Sequence, residues 1–240
     1  MTKGLALLVL SLCLCVTSQP AAAQEAWTAG DYTAWTSVNM ARVHEEVADT
    51  VAHETSAPQA TEAVNTSGAG LSYVPSTKRT QDNLAQFVAR TRAQDAAAGA
   101  DLARTFASVD LVGVVGEAMR SVGLDPHNVA DAYAFWWVEA WSSTRMIESP
   151  NDAVTWQAVA RQAREALAAT SEMAKESDGA KQQLAEAMIV QGGIMNGAVQ
   201  QARDNPAMRQ QLASAARKGA LAMGLNLDAM VLTPQGFRPR

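Results

Sequence analysis

The stretch DPHNVADAYAFWWVEAWSSTRM, residues 125–146, decides the fold class. Asp125-Pro126-His127-Asn128 reads as a turn that opens a helix over about 129–146. Within that helix Tyr133, Trp137, Ala140 and Trp141 recur at spacings of four, seven and eight, which is the period of one helical face. Phe135 and Trp136 widen the apolar surface beyond that face. A helix this apolar is expected at the centre of a helical core.

The flanking sequence repeats the helical period. Upstream, Pro75 with Ser76 or Thr77 supplies a helix start, and Leu84, Phe87, Val88 and Thr91 share a face. A second helix carries Ala98, Leu102, Thr105, Phe106 and Val109. A third, capped by Ser108 or Asp110, carries Leu111, Val114, Val115, Ala118, Met119 and Val122 and stops at Gly123. Downstream, helices are expected over about 151–170, 178–204 and 206–223, the last with Pro206 in its first turn, where a missing N–H costs nothing. Gly192-Gly193 falls inside the longest helix, where glycine costs roughly 1 kcal/mol relative to alanine. Close helix packing is the expected compensation, with a kink as the alternative. The expectation is an all-α bundle of about six or seven helices over 75–224. Residues 225–240 lack a helical period and are expected as an extended tail, lying on the bundle or loose, with a turn at Pro234-Gln235-Gly236.

The N-terminus reads as a secretory signal. Lys3 precedes an apolar run from Leu5 to Val16, and a polar stretch broken by Pro20 ends in Ala21-Ala22-Ala23, so residues 1–23 are expected to be cleaved before Gln24. The apolar run is about a dozen residues, short of the roughly 20 that a spanning helix needs. Cys13 and Cys15 both lie inside it, so the mature chain would carry no disulfide and no thiol chemistry. Leu12 and Leu14 precede them, where a lipoprotein signal needs a small residue. Export by the general secretory route to the periplasm or the outside follows. Residues 24–74 are expected as an N-terminal segment with a short charged helix near 40–54 and a Ser/Thr/Ala/Gly linker from 55 to 74.

Removal of Lys3 leaves 18 basic against 24 acidic side chains. That acidic balance argues against sequence-independent nucleic-acid binding, which needs a basic face to displace counterions. His44 and His53, among Glu45, Glu46, Asp49 and Glu54, invite a metal reading. Nine residues of helix turn through roughly 900°, so the two imidazoles point to opposite sides, and no metal site is expected. Asp110-Leu111-Val112-Gly113 lacks the alternating oxygen ligands of a calcium loop. Among acid–base candidates, His127 sits beside Asp125 and Asn128 in a turn better suited to helix capping. Asp131 and Glu139 are eight residues apart, roughly 12 Å along a helix, wider than the usual spacing of paired carboxylates in inverting glycosidases, which is about 6.5–9.5 Å. No catalytic set and no cofactor is therefore expected. The candidate binding surface is the aromatic group Tyr133, Phe135, Trp136, Trp137 and Trp141, with Phe135 or Trp136 reaching the outside.

Several of these residues also carry a resemblance. Tyr73-Val-Pro-Ser76, the run from Asn83 to Phe87, Gly123-Leu124 followed by Asn128-Val-Ala-Asp-Ala-Tyr133, and Trp137 resemble an exported bacterial family known as domain of unknown function 6683, over about 73–170. The resemblance implies bacterial export and a helical domain, and it brings no activity, substrate or catalytic residue. The functional expectation is a non-catalytic exported binding or interaction protein with an envelope protein as partner. Its rival is an exported hydrolase of envelope polymers using Asp131, Glu139 or His127.

Overall fold

Caps fix where the helices begin. In the computed structural model, which describes residues 70–170, 173–222 and 224–240, α1 (Thr77–Gln94) starts at Ser76, whose hydroxyl accepts from the Arg79 N–H. Asp95 ends α1 and caps α2 (Ala96–Ser108), accepting from the N–H groups of Ala97 and Ala98. Asp110 does the same for α3 (Leu111–Ser121) through Gly113. Asn128 caps α4 (Val129–Arg145), Asp152 accepts from Thr155 at the start of α5 (Ala153–Thr170), and Ser177 caps α6 (Asp178–Gln201). Helix α7 (Pro206–Ala222) opens with Pro206, and the Asn205 carbonyl oxygen of the side chain accepts from Met208. Each short polar side chain satisfies backbone donors that the helix itself leaves free.

The seven expected helices are all present among the described residues, so the all-α expectation holds. The chain ends in a short 3-10 turn (Leu227–Ala229) and a hairpin of β1 (Met230–Thr233) and β2 (Gly236–Pro239), antiparallel with Leu232 opposite Phe237. The expected turn at Pro234-Gln235 is its tip. The tail is thus extended and lies on the bundle, the first of the two alternatives, folded back as a hairpin with Phe237 fully buried in the main core.

Helix α4 runs through the middle, covered by α6, α5 and α7. Nearly every residue from Val129 to Thr144 is buried. A Cβ added at Gly192 would lie 2.5 Å from the Phe135 ring, and one at Gly193 would lie 2.8 Å from a Val115 methyl. The glycine pair therefore serves close packing, the first of the two expectations. Phe135 faces Gly192 and Glu139 faces Asn196, so α4 and α6 run parallel.

The expected linker ended too late. Leu71 and Tyr73 are buried, Ser72 bridges Asn128, and the Tyr73 N–H donates to the His127 carbonyl at 3.0 Å. This strap is the first described element, and its large apolar side chains Leu71 and Tyr73 add to the core. The expected signal peptide and the expected charged helix near 40–54, with His44 and His53, lie outside the described residues.

Candidate functional site

The aromatic row predicted as a surface is interior. Tyr133 and Trp137 are fully buried, Trp136 is 2% exposed and Phe135 6%, and Trp141 is half-buried. Phe135 stacks on Trp156 at 5.9 Å, and Tyr133 meets Trp136 and Trp137 at 5.8 and 5.9 Å. The outward-facing surface is thereby corrected: a helix that is apolar on every side is covered on every side. Position in the sequence carried that signal, since from Val129 to Thr144 the only charges are Asp131 and Glu139.

Two of the five aromatics nonetheless form a seat. Trp137 stacks on Phe237 with ring centroids 4.3 Å apart and planes 24° apart, and Trp141 meets the same ring edge-on at 6.1 Å. Gln162 of α5 clamps the backbone of that residue: its Oε1 accepts from the Phe237 N–H at 2.8 Å, and its Nε2 donates to the Phe237 carbonyl at 2.9 Å. The Trp141 indole N–H and Arg145 both donate to the Met230 carbonyl, at 3.2 and 3.1 Å. Arg145 lies 4.1 Å from the Trp141 ring centroid, and burial pulls its guanidinium below the usual arginine range.

The opposite side of α4 is polar. Glu139 is buried, and its carboxyl accepts from Ser149 Oγ at 2.8 Å and from Asn196 Nδ2 at 3.1 and 3.2 Å. Burial pushes its pKa up to about 7, against the opposing pull of those two donors. Ser142 and Ser143 follow one turn later on the same face. Their hydroxyls, and the Trp137 indole N–H, are buried without a hydrogen-bond partner among the described residues. A carboxyl with a near-neutral pKa can hold or release a proton at physiological pH, which is the property of a general acid or base.

The other two acid–base candidates have separate tasks. Asp131 pairs with Arg164 of α5 and accepts from the Asp125 N–H at 2.9 Å; burial raises its pKa, and those two contacts oppose the rise. His127 lies edge-on to Tyr73 at 5.7 Å, and its N–H donates to Asp125. Asp131, in the first turn of α4, and His127, in the turn before it, are therefore linked through Asp125, whereas Glu139 stands two turns further on with different partners. Asn128 caps α4 as the turn reading expected, accepting from Ala130 and Asp131.

Sequence reasoning missed Gln162, Ser149, Asn196 and Phe237. Gln162 had a signal, because it interrupts the small-residue stripe Val159, Ala160, Ala163 and Ala166, all buried. Among the described residues no group of three or more His, Cys, Asp or Glu could hold a metal, and no helix is long and apolar enough to cross a membrane.

With this geometry in place, the chain matches a family described as "Family of unknown function (DUF6683)" over residues 1–240. The chain belongs to that family. The match extends the resemblance from residues 73–170 to the whole length, hairpin included. No curated protein and no solved structure matches the chain.

Proposed function

We propose that the chain is a non-catalytic binding protein, exported from a bacterial cell by the general secretory route and acting in the periplasm or outside the cell. The observation that carries the reading is the seat of the C-terminal hairpin. There α4 and α5 hold a polypeptide segment by one stacked ring and by side chains that bond its backbone. Aromatic anchoring combined with backbone hydrogen bonding is how proteins recognise extended polypeptide. Export is supported by Lys3, the apolar run to Val16 and Ala21-Ala22-Ala23.

N-terminal sequencing of protein isolated from its own cells tests the export. A chain beginning at Gln24 outside the cytoplasm is expected; one that keeps Met1 inside it overturns this part. Tagged mature protein should co-isolate from the envelope with one partner at fixed stoichiometry. Repeated recovery alone overturns the binding part.

A second reading, an exported hydrolase of envelope polymers, is favoured by one observation: the near-neutral Glu139 lies one turn before two unpartnered serine hydroxyls. Degradation of an envelope polymer by the wild type that is lost in Glu139→Gln would replace the first reading with this one.

A further inference from the structure

The hairpin is held in an unusual division of labour. Antiparallel pairs alternate between those that bond each other and those whose N–H and C=O groups point outward. Phe237 N–H and C=O go to Gln162, and the Met230 carbonyl goes to Trp141 and Arg145. The pairs Leu232–Phe237 and Met230–Pro239 are therefore the outward ones. The Gln162 amide stands where the backbone of a neighbouring strand would stand, and it reads no side chain. In β1, Met230 is buried in the main core; in β2, side-chain selection falls on two positions. Phe237 fills the slot between Trp137 and Trp141. At Gly236, φ is +103° and an added Cβ would lie 2.5 Å from Gln162 Oε1, so only glycine fits.

We propose that the face bearing Trp137, Trp141 and Gln162 is a peptide-binding groove filled in cis by the chain's own C-terminus, and that it takes in trans an extended partner segment in which glycine precedes an aromatic residue. Only Phe237 and Gly236 of β2 are fully buried, while Thr233 to Gln235 at the tip are half-buried or exposed. The inference rests on the binding-protein reading and names the partner's chemistry.

The test uses the full mature chain and a synthetic peptide of residues 226–240. Phe237→Ala in the protein vacates the slot, and this variant should bind the wild-type peptide. The wild-type chain should bind it at least ~10-fold more weakly, because a tethered hairpin competes at an effective concentration near millimolar. Replacing the peptide's Phe237 by Ala, or its Gly236 by Ala, should weaken binding to the variant at least ~10-fold. A folded Phe237→Ala chain that binds none of the peptides, or all of them alike, overturns the proposal. So does a complex made only of two chains exchanging hairpins. Should Phe237→Ala not fold, hydrogen exchange of the wild type decides. Val231 and Arg238 amides should exchange faster than those of α4; exchange at one common rate means the groove never opens and overturns the proposal. An envelope partner recovered without any peptide binding sinks this inference and leaves the binding-protein reading standing, whereas loss of both sinks both.

Discussion

Glu139 and Glu186 are the two buried glutamates of the described core, each 3% exposed, and they solve the same problem differently. Glu186 on α6 accepts from Thr80 Oγ1 and Asn83 Nδ2 of α1, both at 2.6 Å, and from Gln182 Nε2 at 2.8 Å. Gln182 in turn accepts from Arg79 Nε at 2.7 Å and from the Ser76 N–H at 3.0 Å, so a guanidinium stands one link behind the carboxyl. Among the described residues Glu139 bonds two neighbours, Ser149 and Asn196, at 2.8–3.2 Å, neither of them charged. Burial pushes its pKa up to about 7, against the pull of those two donors. Glu186 fastens α1 to α6 through side chains of both helices, whereas Glu139 is poised to change its proton.

The contrast predicts a ranking. Glu186→Ala should have the largest effect, because it removes the shared acceptor of Thr80 Oγ1, Asn83 Nδ2 and Gln182 Nε2 and loosens α1 on α6; a loss of roughly 3 kcal/mol in urea unfolding is expected. A loss under about 1 kcal/mol would mean that α1 is held by its apolar face alone. Glu139→Gln comes next and should act with the opposite sign. With a folded pKa raised from the model-peptide value of 4.5, the native state holds a proton that the unfolded chain releases. Stability from this group is full below pH 4.5, falls as pH rises to about 7 and is flat above it. The glutamine variant should lose that slope and be more stable than wild type at pH 8, by about 1–3 kcal/mol. Identical pH profiles for the two proteins would place the titration elsewhere. Thr80→Val should cost about 1 kcal/mol, the value of one buried hydrogen bond. The smallest effect belongs to Ser149→Ala, which removes a donor that lowers the Glu139 pKa, so the midpoint of the pH-dependent loss should move up by a few tenths of a unit.

The helices were legible because their signals are local. Asp110, Asn128 and Pro206 mark starts within a turn of the residues they serve, and the apolar stripes repeat at the helical period. The hairpin was not legible as such, since four-residue strands carry too few alternations to be told from a loop. Nor were the polar contacts of the core. Gln162 meets Phe237 across 75 positions, Asn196 meets Glu139 across 57, and Glu186 meets Thr80 across 106. No pattern near any of these residues announces its partner. The aromatic row was read correctly as a helix and incorrectly as partly outward, because the period of a helix says which residues align and leaves open how many sides are covered.

The placing of Phe237 against Trp137 sets an order of events in biosynthesis. Trp137 is made 100 residues before the ring that closes over it, and its other covering helices, α5, α6 and α7, are made in between. The central helix thus waits for its cover, and this part of the core closes only when Phe237 is in place. Contacts of such long sequence separation form slowly, since the loop between them must be gathered first. Meanwhile the waiting aromatic surface is open to aggregation. A chain cut before Phe237 would keep every described helix and still leave that surface without its final cover.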